Sequence, residues 1–511
     1  MIPHIRNDNH IPTLYVRDEP FFALAGELHN SSSSSLSYME QQVWPNLKGL
    51  NMNTAILALA WETVEPEEGR YDFTLLDGLI DQARGQNMHL VFLWFGLWKN
   101  SESMYVPEWM KQDTETYFRA KNVRGEKINT ISPLCQAAVA KDAKAFAAVM
   151  AHIREIDEPE STVIFLQVEN EIGLLGTPRD YSDEANRAFA EQIPEGLAEE
   201  YGAAGTWKEA FGENAEEYFM AYYYARAVEQ IAQAGQNAYP LPCYTNAWLR
   251  QYPWYAGSYP SGGPVREVHR IWKRTAPSLF ALAPDIYVPY AAQVIDSYSY
   301  EGNPLVIPEI RSDAVTASYC LYAFGQHNAI CYSPFGIEDL ALDPDTIEKP
   351  PMPVMLALNI DPSAMDFTGS KTYLSAVYGL LEQAKPLLLK YRGTPGLQSY
   401  VRTSDTDYGT LLSFSAYNLQ VAYAPKVPAK PLAAGIVLEL SANEFLLMGM
   451  MSSFTFLPKF GENVNVEVLR LEEGTLAQGE WQPGRILNGD EKMMIKLSDQ
   501  IQCCKIKLYK Y

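Results

Sequence analysis

Histidine and cysteine are scarce in this chain of 511 residues, which has seven of the first and six of the second. No H-E-x-x-H is present, and no two cysteines form C-x-x-C. Cys135, Cys243, Cys320, Cys331, Cys503 and Cys504 are scattered without histidines at ligand spacing. They read as reduced thiols, neither a disulfide frame nor a zinc site. Glycine-rich phosphate loops are missing too, since neither G-x-G-x-x-G nor G-x-x-x-x-G-K-[ST] occurs. The expectation is chemistry with no metal and no cofactor. Positive charge is in deficit: 40 Lys and Arg stand against 62 Asp and Glu, a net charge of −22. Such a surface repels polyanions, which argues against nucleic acid and anionic membrane as partners. No run approaches the roughly 18 apolar residues of a membrane span, and Met1 to Asp8 has no apolar signal segment. As it stands, the chain reads as soluble and cytoplasmic.

What is present is apolar and aromatic. Hydrophobic residues make up 47% of the chain, so a large core and two or three domains are expected. Short apolar runs at 21–26, 53–60, 89–95, 162–168, 241–246, 278–287, 304–308 and 329–334 read as strands. Helical spacing separates them, most clearly at 38–50, 73–85, 136–156 and 216–235. Strands alternating with helices imply βαβ units and a parallel sheet. Eight of them imply a (β/α)8 barrel, assigned to residues 1–390 and closed by a helix at 370–389. Tyr391 to Gly396 reads as a linker. Beyond it, strand-like runs at 408–415, 435–440, 444–448, 464–469 and 494–497 lie between turns. Residues 397–511 are therefore expected to form an all-β, sandwich-like domain. Packing or building a homo-oligomer is its default role, and carbohydrate binding is the alternative.

The fourth run ends in Gln167-Val168-Glu169-Asn170-Glu171. Charge at the end of a buried strand is costly unless it is paired or used, and C-terminal strand ends are where barrel sites are built. The seventh run ends in Pro308-Glu309, on the same barrel face. Two opposed carboxyl groups suit retaining glycoside hydrolysis, in which one protonates the leaving oxygen and the other attacks the anomeric carbon. Glu169 lies two residues deeper and, by strand alternation, on the same side as Glu171, which makes it a supporting carboxylate. Trp61, Trp94, Trp98 and Trp248 stand near strand ends, where they either line a sugar platform or fill the core. Glu62 and Lys99 either clamp sugar hydroxyls or form a salt bridge. Asn246 bonds a hydroxyl or caps a helix, and Phe335 walls the pocket or packs the eighth strand.

These motifs together resemble a clan A glycoside hydrolase, and most of all the family 35 β-galactosidases with an appended β domain. Gly26-Glu27-Leu28-His29 is similar to the family's G-x-x-H. Leu47 to Thr54 resembles L-K-x-x-G-x-N-T, the stretch from Trp61 to Phe73 resembles W-x-x-x-E-P-x-x-G-x-Y-D-F, and Gln167 to Gly173 resembles Q-V-E-N-E-x-G. The resemblance implies Glu171 as acid/base, Glu309 as nucleophile and Asn170 as holder of the sugar 2-hydroxyl; Tyr287 either orients the nucleophile, as its counterpart does in many clan A enzymes, or closes the barrel. Two departures bear on the sugar. Ala58 stands where the family has a substrate-binding Tyr, and Leu93 to Asn100 replaces its R-P-G-P-Y segment. Trp61-Glu62 also resembles family 42. A β-galactoside or a galactose-bearing oligosaccharide is the expected substrate. β-Glucosidase, β-mannosidase and α-arabinosidase activities, or a sugar-binding barrel without activity, are the alternatives.

Overall fold

Side chains of a strand alternate between its two faces, and a barrel turns one face inward and the other toward its helices. The eight expected strands do this. They are β1 (Ala23–Glu27), β2 (Thr54–Ala60), β3 (His89–Lys99), β4 (Val163–Asn170), β5 (Cys243–Trp248), β6 (Leu279–Ile286), β7 (Val306–Ile310) and β8 (Cys331–Pro334). They form a closed barrel in sequence order, every pairing parallel. This computed structural model describes residues 2–347 and 350–511. Along β3, Val91, Leu93 and Phe95 pack inside the barrel with Ala25, Ile56, Tyr244 and Ala283. Leu90, Phe92 and Trp94 join the layer between strands and helices. Around the barrel run long helices such as Gln136–Asp157, Ala215–Ala238 and Ser370–Tyr391.

An element absent from the sequence reading precedes the barrel. Strands His4–Asp8, Ile11–Val16 and Glu19–Phe21 form a three-stranded antiparallel sheet. Its turns, Asn9-His10 and Arg17-Asp18, hold both central residues at positive φ, the geometry whose twist matches a two-residue hairpin. Neither pair carries the glycine that marks such turns in a sequence. Leu14 and Val16 of this sheet join the inner barrel core beside Phe280, so the sheet plugs the N-terminal end.

Beyond Tyr391 the chain forms two antiparallel sheets, one of six strands and one of four. Val437, Phe445, Leu447 and Ile506 of the first meet Leu419, Val421, Phe454 and Phe456 of the second in one core, which makes a sandwich. The outer face of the larger sheet packs on the barrel. Ile436, Leu438, Leu446 and Met448 share a core with Val377, Tyr378 and Leu381 of the helix Ser370–Tyr391. Ser318 of the helix Thr316–His327 donates to the Leu432 carbonyl and accepts from the Leu432 amide, each at 2.9 Å. The β domain thus buries apolar surface that two barrel helices would otherwise expose. Among the described residues no helix is long and apolar enough to cross a membrane.

The plug carries a testable consequence. Leu14 is fully buried, and truncating such a residue costs about 2–5 kcal/mol through lost burial and the cavity left behind. Leu14→Ala should lower the urea unfolding midpoint clearly, whereas Leu411→Ala, at a position 46% exposed, should leave it nearly in place.

Candidate active site

The C-terminal strand ends converge on a cavity of about 210 Å³. That is about seven times the volume share of a water molecule and suits one sugar ring. Its wall contains Lys99 from the end of β3, Glu171 after β4, Trp248 of β5, Asp285 and Tyr287 at the end of β6, Glu309 of β7 and Phe335 after β8. Loop residues Leu358, Asn359, Ile360 and Met365 close another side. That loop is tied to the barrel by the buried Arg311, which donates to Asp313 at 2.7 and 2.8 Å, to Asp361 at 2.9 Å and to Ser363 at 2.8 Å. The Asp361 amide adds a 2.9 Å bond to the Tyr287 carbonyl.

Four carboxyl groups meet here, from Glu27, Glu171, Asp285 and Glu309, and all are less than a tenth exposed. Burial penalises a charged carboxylate, and a charged neighbour penalises it further. Burial raises the Glu309 pKa, no neighbouring carboxylate adds to that, and the Lys99 ammonium and a hydrogen bond from the Tyr287 hydroxyl oppose it. Glu309 is therefore the group best placed to hold a negative charge. The other three feel that charge. Burial and then Glu309 push Glu171 up to about 7, against Lys99 and a hydrogen bond with Asp285. Burial and Glu309 also raise Glu27 and Asp285 well above the usual carboxylate range. Of the three carboxyl groups in the cavity wall, Glu171 is thus raised to about 7 and Asp285 well above its usual range, while at Glu309 the Lys99 ammonium and the Tyr287 hydroxyl work against the rise; Glu27 is not part of the wall.

Asn246 fixes this arrangement from behind. Its side-chain oxygen accepts from the Glu171 amide at 2.9 Å, and its amino group donates to Asp285 at 2.7 Å and to Asn170 at 3.2 Å. Asn246 is buried and does not line the cavity, so it positions other groups rather than capping a helix. Asn170 is likewise fully buried. It accepts from Gln167 at 2.9 Å and donates to Asn100 at 3.3 Å, and Asn100 is the one of the two in the cavity wall.

Strand alternation misplaces Glu169. Glu169 and Glu171 both have positive φ, 62° and 45°, which breaks the two-residue period. Glu169 turns out of the barrel and accepts from the Leu97 amide at 3.1 Å and the Trp98 amide at 2.6 Å. Asp142, from the surrounding helix, accepts from the same Leu97 amide at 2.9 Å and from the Trp94 indole at 2.7 Å. Both acids are fully buried and hydrogen-bonded to each other; burial and Asp142 hold Glu169 protonated well beyond its usual range. A Cβ at Gly96 would collide with both carboxyl groups, so the close packing requires glycine there.

Besides Asn170 and Asn246, three expected site residues lie outside the cavity. Trp61 is fully buried, with its indole donating to Glu65 at 2.7 Å. Trp98 is fully buried and donates to the Ile131 carbonyl at 2.9 Å. The register of β3 against β4 shifts between Trp94 and Lys99, and such a bulge re-aims side chains; it sends Trp98 to the core and Lys99 to the cavity. Glu62 forms a 2.7 Å ion pair with Lys111, away from the cavity. Trp248, Tyr287, Phe335 and Lys99 stand in the cavity wall. Glu27 and Asp285 were not anticipated, although each is a carboxylate at a strand end, the signal that singled out Glu171.

Removing the Glu169 carboxyl strands the Trp98 amide in the interior, which costs on the order of 1–3 kcal/mol. Glu169→Ala should therefore lower the unfolding midpoint, and Glu169→Gln should largely preserve it. The pH sign follows from the raised pKa. A carboxyl that binds its proton more tightly when folded stabilises the fold fully below its unfolded pKa, and that contribution is lost as pH rises through the folded value. Glu169→Gln has no such proton to lose, so the difference in midpoint should move in the variant's favour from about pH 5 to about pH 8.

Residues 41–221 match the model of glycoside hydrolase family 42, described as Beta-galactosidase, and residues 374–497 match a domain of unknown function, DUF5597. No match was found among curated proteins. Similar solved structures include the β-galactosidase from Rahnella sp. R3, with 14% identity and TM-score 0.45 over 61% of this chain and 50% of that one. The β-galactosidase from the psychrophilic Marinomonas ef1 aligns with 12% identity and TM-score 0.47, over 71% of this chain and 60% of that one. The catalytic domain of β-amylase from Paenibacillus polymyxa aligns with 10% identity and TM-score 0.49, over 62% and 92%. The chain thus spans half to three-fifths of the two β-galactosidases, at a likeness too low for a shared substrate to follow. The motifs quoted above resemble family 35, whereas the matching model is that of family 42. The chain thus carries a closed parallel (β/α)8 barrel, of which residues 41–221 match the family 42 β-galactosidase model, and a C-terminal region, residues 374–497, that matches DUF5597.

Proposed function

We propose that this protein is a retaining exo-glycosidase acting on terminal β-galactose, with Glu309 as nucleophile and Glu171 as acid/base. One observation carries the reading: carboxyl groups from β4 and β7 share one cavity, and their surroundings separate their protonation states. Two titratable groups pushed apart in this way are what acid and base roles require. The Glu309 carboxylate attacks the anomeric carbon and forms an ester while the bond to the leaving oxygen breaks. Glu171 gives its proton to that oxygen. As a carboxylate it then takes a proton from water, whose oxygen attacks the anomeric carbon and releases Glu309. Tyr287 and Lys99 orient and stabilise the charge on Glu309. The choice of galactose rests on the motif resemblance and on the family description.

The two glutamates should fail differently. Glu309→Gln should lose turnover of every substrate by several powers of ten, on the order of what removing a central nucleophile costs. Glu171→Gln should still form the glycosyl-enzyme from activated aryl glycosides, because an acidic phenol needs little protonation. Added azide should then speed release and yield a β-glycosyl azide. An α-glycosyl azide from Glu171→Gln, or a β-glycosyl azide from Glu309→Gln, would reverse the assignment, and equal collapse of both variants without azide rescue would remove it.

The pH profile tests Glu171 separately. Its acid form is required, so kcat/KM should fall as pH rises through about 7. The hydrogen bond with Asp285 favours the ionised form of Glu171. Asp285→Ala should therefore move that limb to higher pH, and a downward move would show that Asp285 instead acts as a charge.

A further inference from the structure

The loop after β5 serves two hollows. Trp248, Leu249 and Gln251 line the cavity, while Arg250, Trp254 and Tyr255 line a separate groove of about 580 Å³. The opposite side of that groove contains Gly176 and Thr177, from the loop that follows Glu171. Three rings on the β5 loop face solvent: Tyr252 is 74% exposed, Trp254 48% and Tyr255 64%.

The backbone that carries these rings is tied down. The Gly176 amide donates to the Gly257 carbonyl at 2.8 Å, and Leu174 and Ser261 exchange bonds of 3.0 and 2.8 Å, so the two loops are laced together. Arg250 donates to the Trp254 carbonyl at 2.7 Å, and Gln251 to the Ser258 carbonyl at 2.9 Å. Trp254 sits at φ 72°, which is strained for a bulky side chain, and such strain gathers at ligand sites. The fixed ordering lowers the entropy cost of binding. The Arg250 Nε is buried without a hydrogen-bond partner.

We propose that this groove is the leaving-group subsite, where the exposed rings stack the second and third units of a neutral oligosaccharide. The inference rests on Glu171 as the acid, since the leaving oxygen departs beside the group that protonates it, and the groove adjoins the Glu171 loop. Trp254 in the groove lies three positions beyond Gln251 in the cavity wall, at most about 11 Å of chain, a span of about two pyranose rings. Ring faces carry negative potential and suit the C–H faces of sugars. Glu213, Glu216 and Glu217 line the groove, which disfavours acidic sugars.

Calorimetry on the Glu309→Gln protein tests this without turnover, with β-1,4-galactotetraose, cellotetraose and xylotetraose as probes. Adding Trp254→Ala and Tyr255→Ala should weaken binding of at least one tetraose about ten-fold or more. Trp254→Phe, which keeps a ring, should retain most of the affinity. Absence of binding by all three probes, equal affinity with and without the two alanines, or a Phe variant as weak as the Ala variant would overturn the proposal. Failure of the wild-type protein to cleave any aryl glycoside would instead count against the enzymatic reading, a separate result.

Discussion

Like charges crowded in a dry cavity cannot all ionise, and the active end of this barrel is arranged around that constraint. Two unit charges about 5 Å apart, at an effective dielectric near 20, repel by about 3 kcal/mol. Burial first, and then the charge on Glu309, raise Glu171 from its usual 4.5 to about 7, about 3 kcal/mol in all. At Glu309 burial raises the pKa, and Lys99 and the Tyr287 hydroxyl oppose that rise and favour the charged form. Burial, and then the charge on Glu309, raise Glu27 and Asp285 well above the usual carboxylate range, which favours their acid forms. A neutral carboxyl can donate a hydrogen bond, so the crowding gives the cavity both donors and acceptors for hydroxyl groups.

The cavity needs a frame, and part of it lies outside the barrel wall. Asp142 and Glu169 grip the backbone of β3 at Leu97 and Trp98, just before Lys99. Glu169 is also two residues from Glu171, so one buried acid pair sets the ends of both β3 and β4. On the far side, Asn246 ties the backbone of Glu171 to the side chain of Asp285. Displacing any of these would move Lys99, Glu171 or Asp285 in the cavity wall. The plug at the other end of the barrel and the β domain on its flank are remote from this chemistry and act through burial.

Much of the fold is legible in the chain because its signals are local. Val163 to Leu166 is β-branched and apolar and becomes a buried strand, and the eight barrel strands begin and end within a few residues of their apolar runs. The N-terminal sheet was missed because its turns carry Asn-His and Arg-Asp rather than glycine, and its strands are short and partly polar. In the site, Glu171 and Glu309 stand out as charges closing apolar runs. Trp61 and Trp98 do not differ in sequence from Trp248, since a tryptophan near a strand end looks the same whether it faces the cavity or the helices.

The sequence alone determined the alternation of strand and helix, the change to an all-β domain near residue 393, and the two strand ends that carry Glu171 and Glu309. These follow from spacing and residue type, which act over a few positions. Only the tertiary structure decided which side chains share the cavity. A register shift in β3 exchanges Trp98 for Lys99, and two left-handed residues in β4 send Glu169 outward and Glu171 inward. Ring closure of the barrel brings Glu27, Asp285 and Glu309 around Glu171 from strands far apart in the chain. Their protonation depends on burial and on one another's charge, and both exist only once the strands have met.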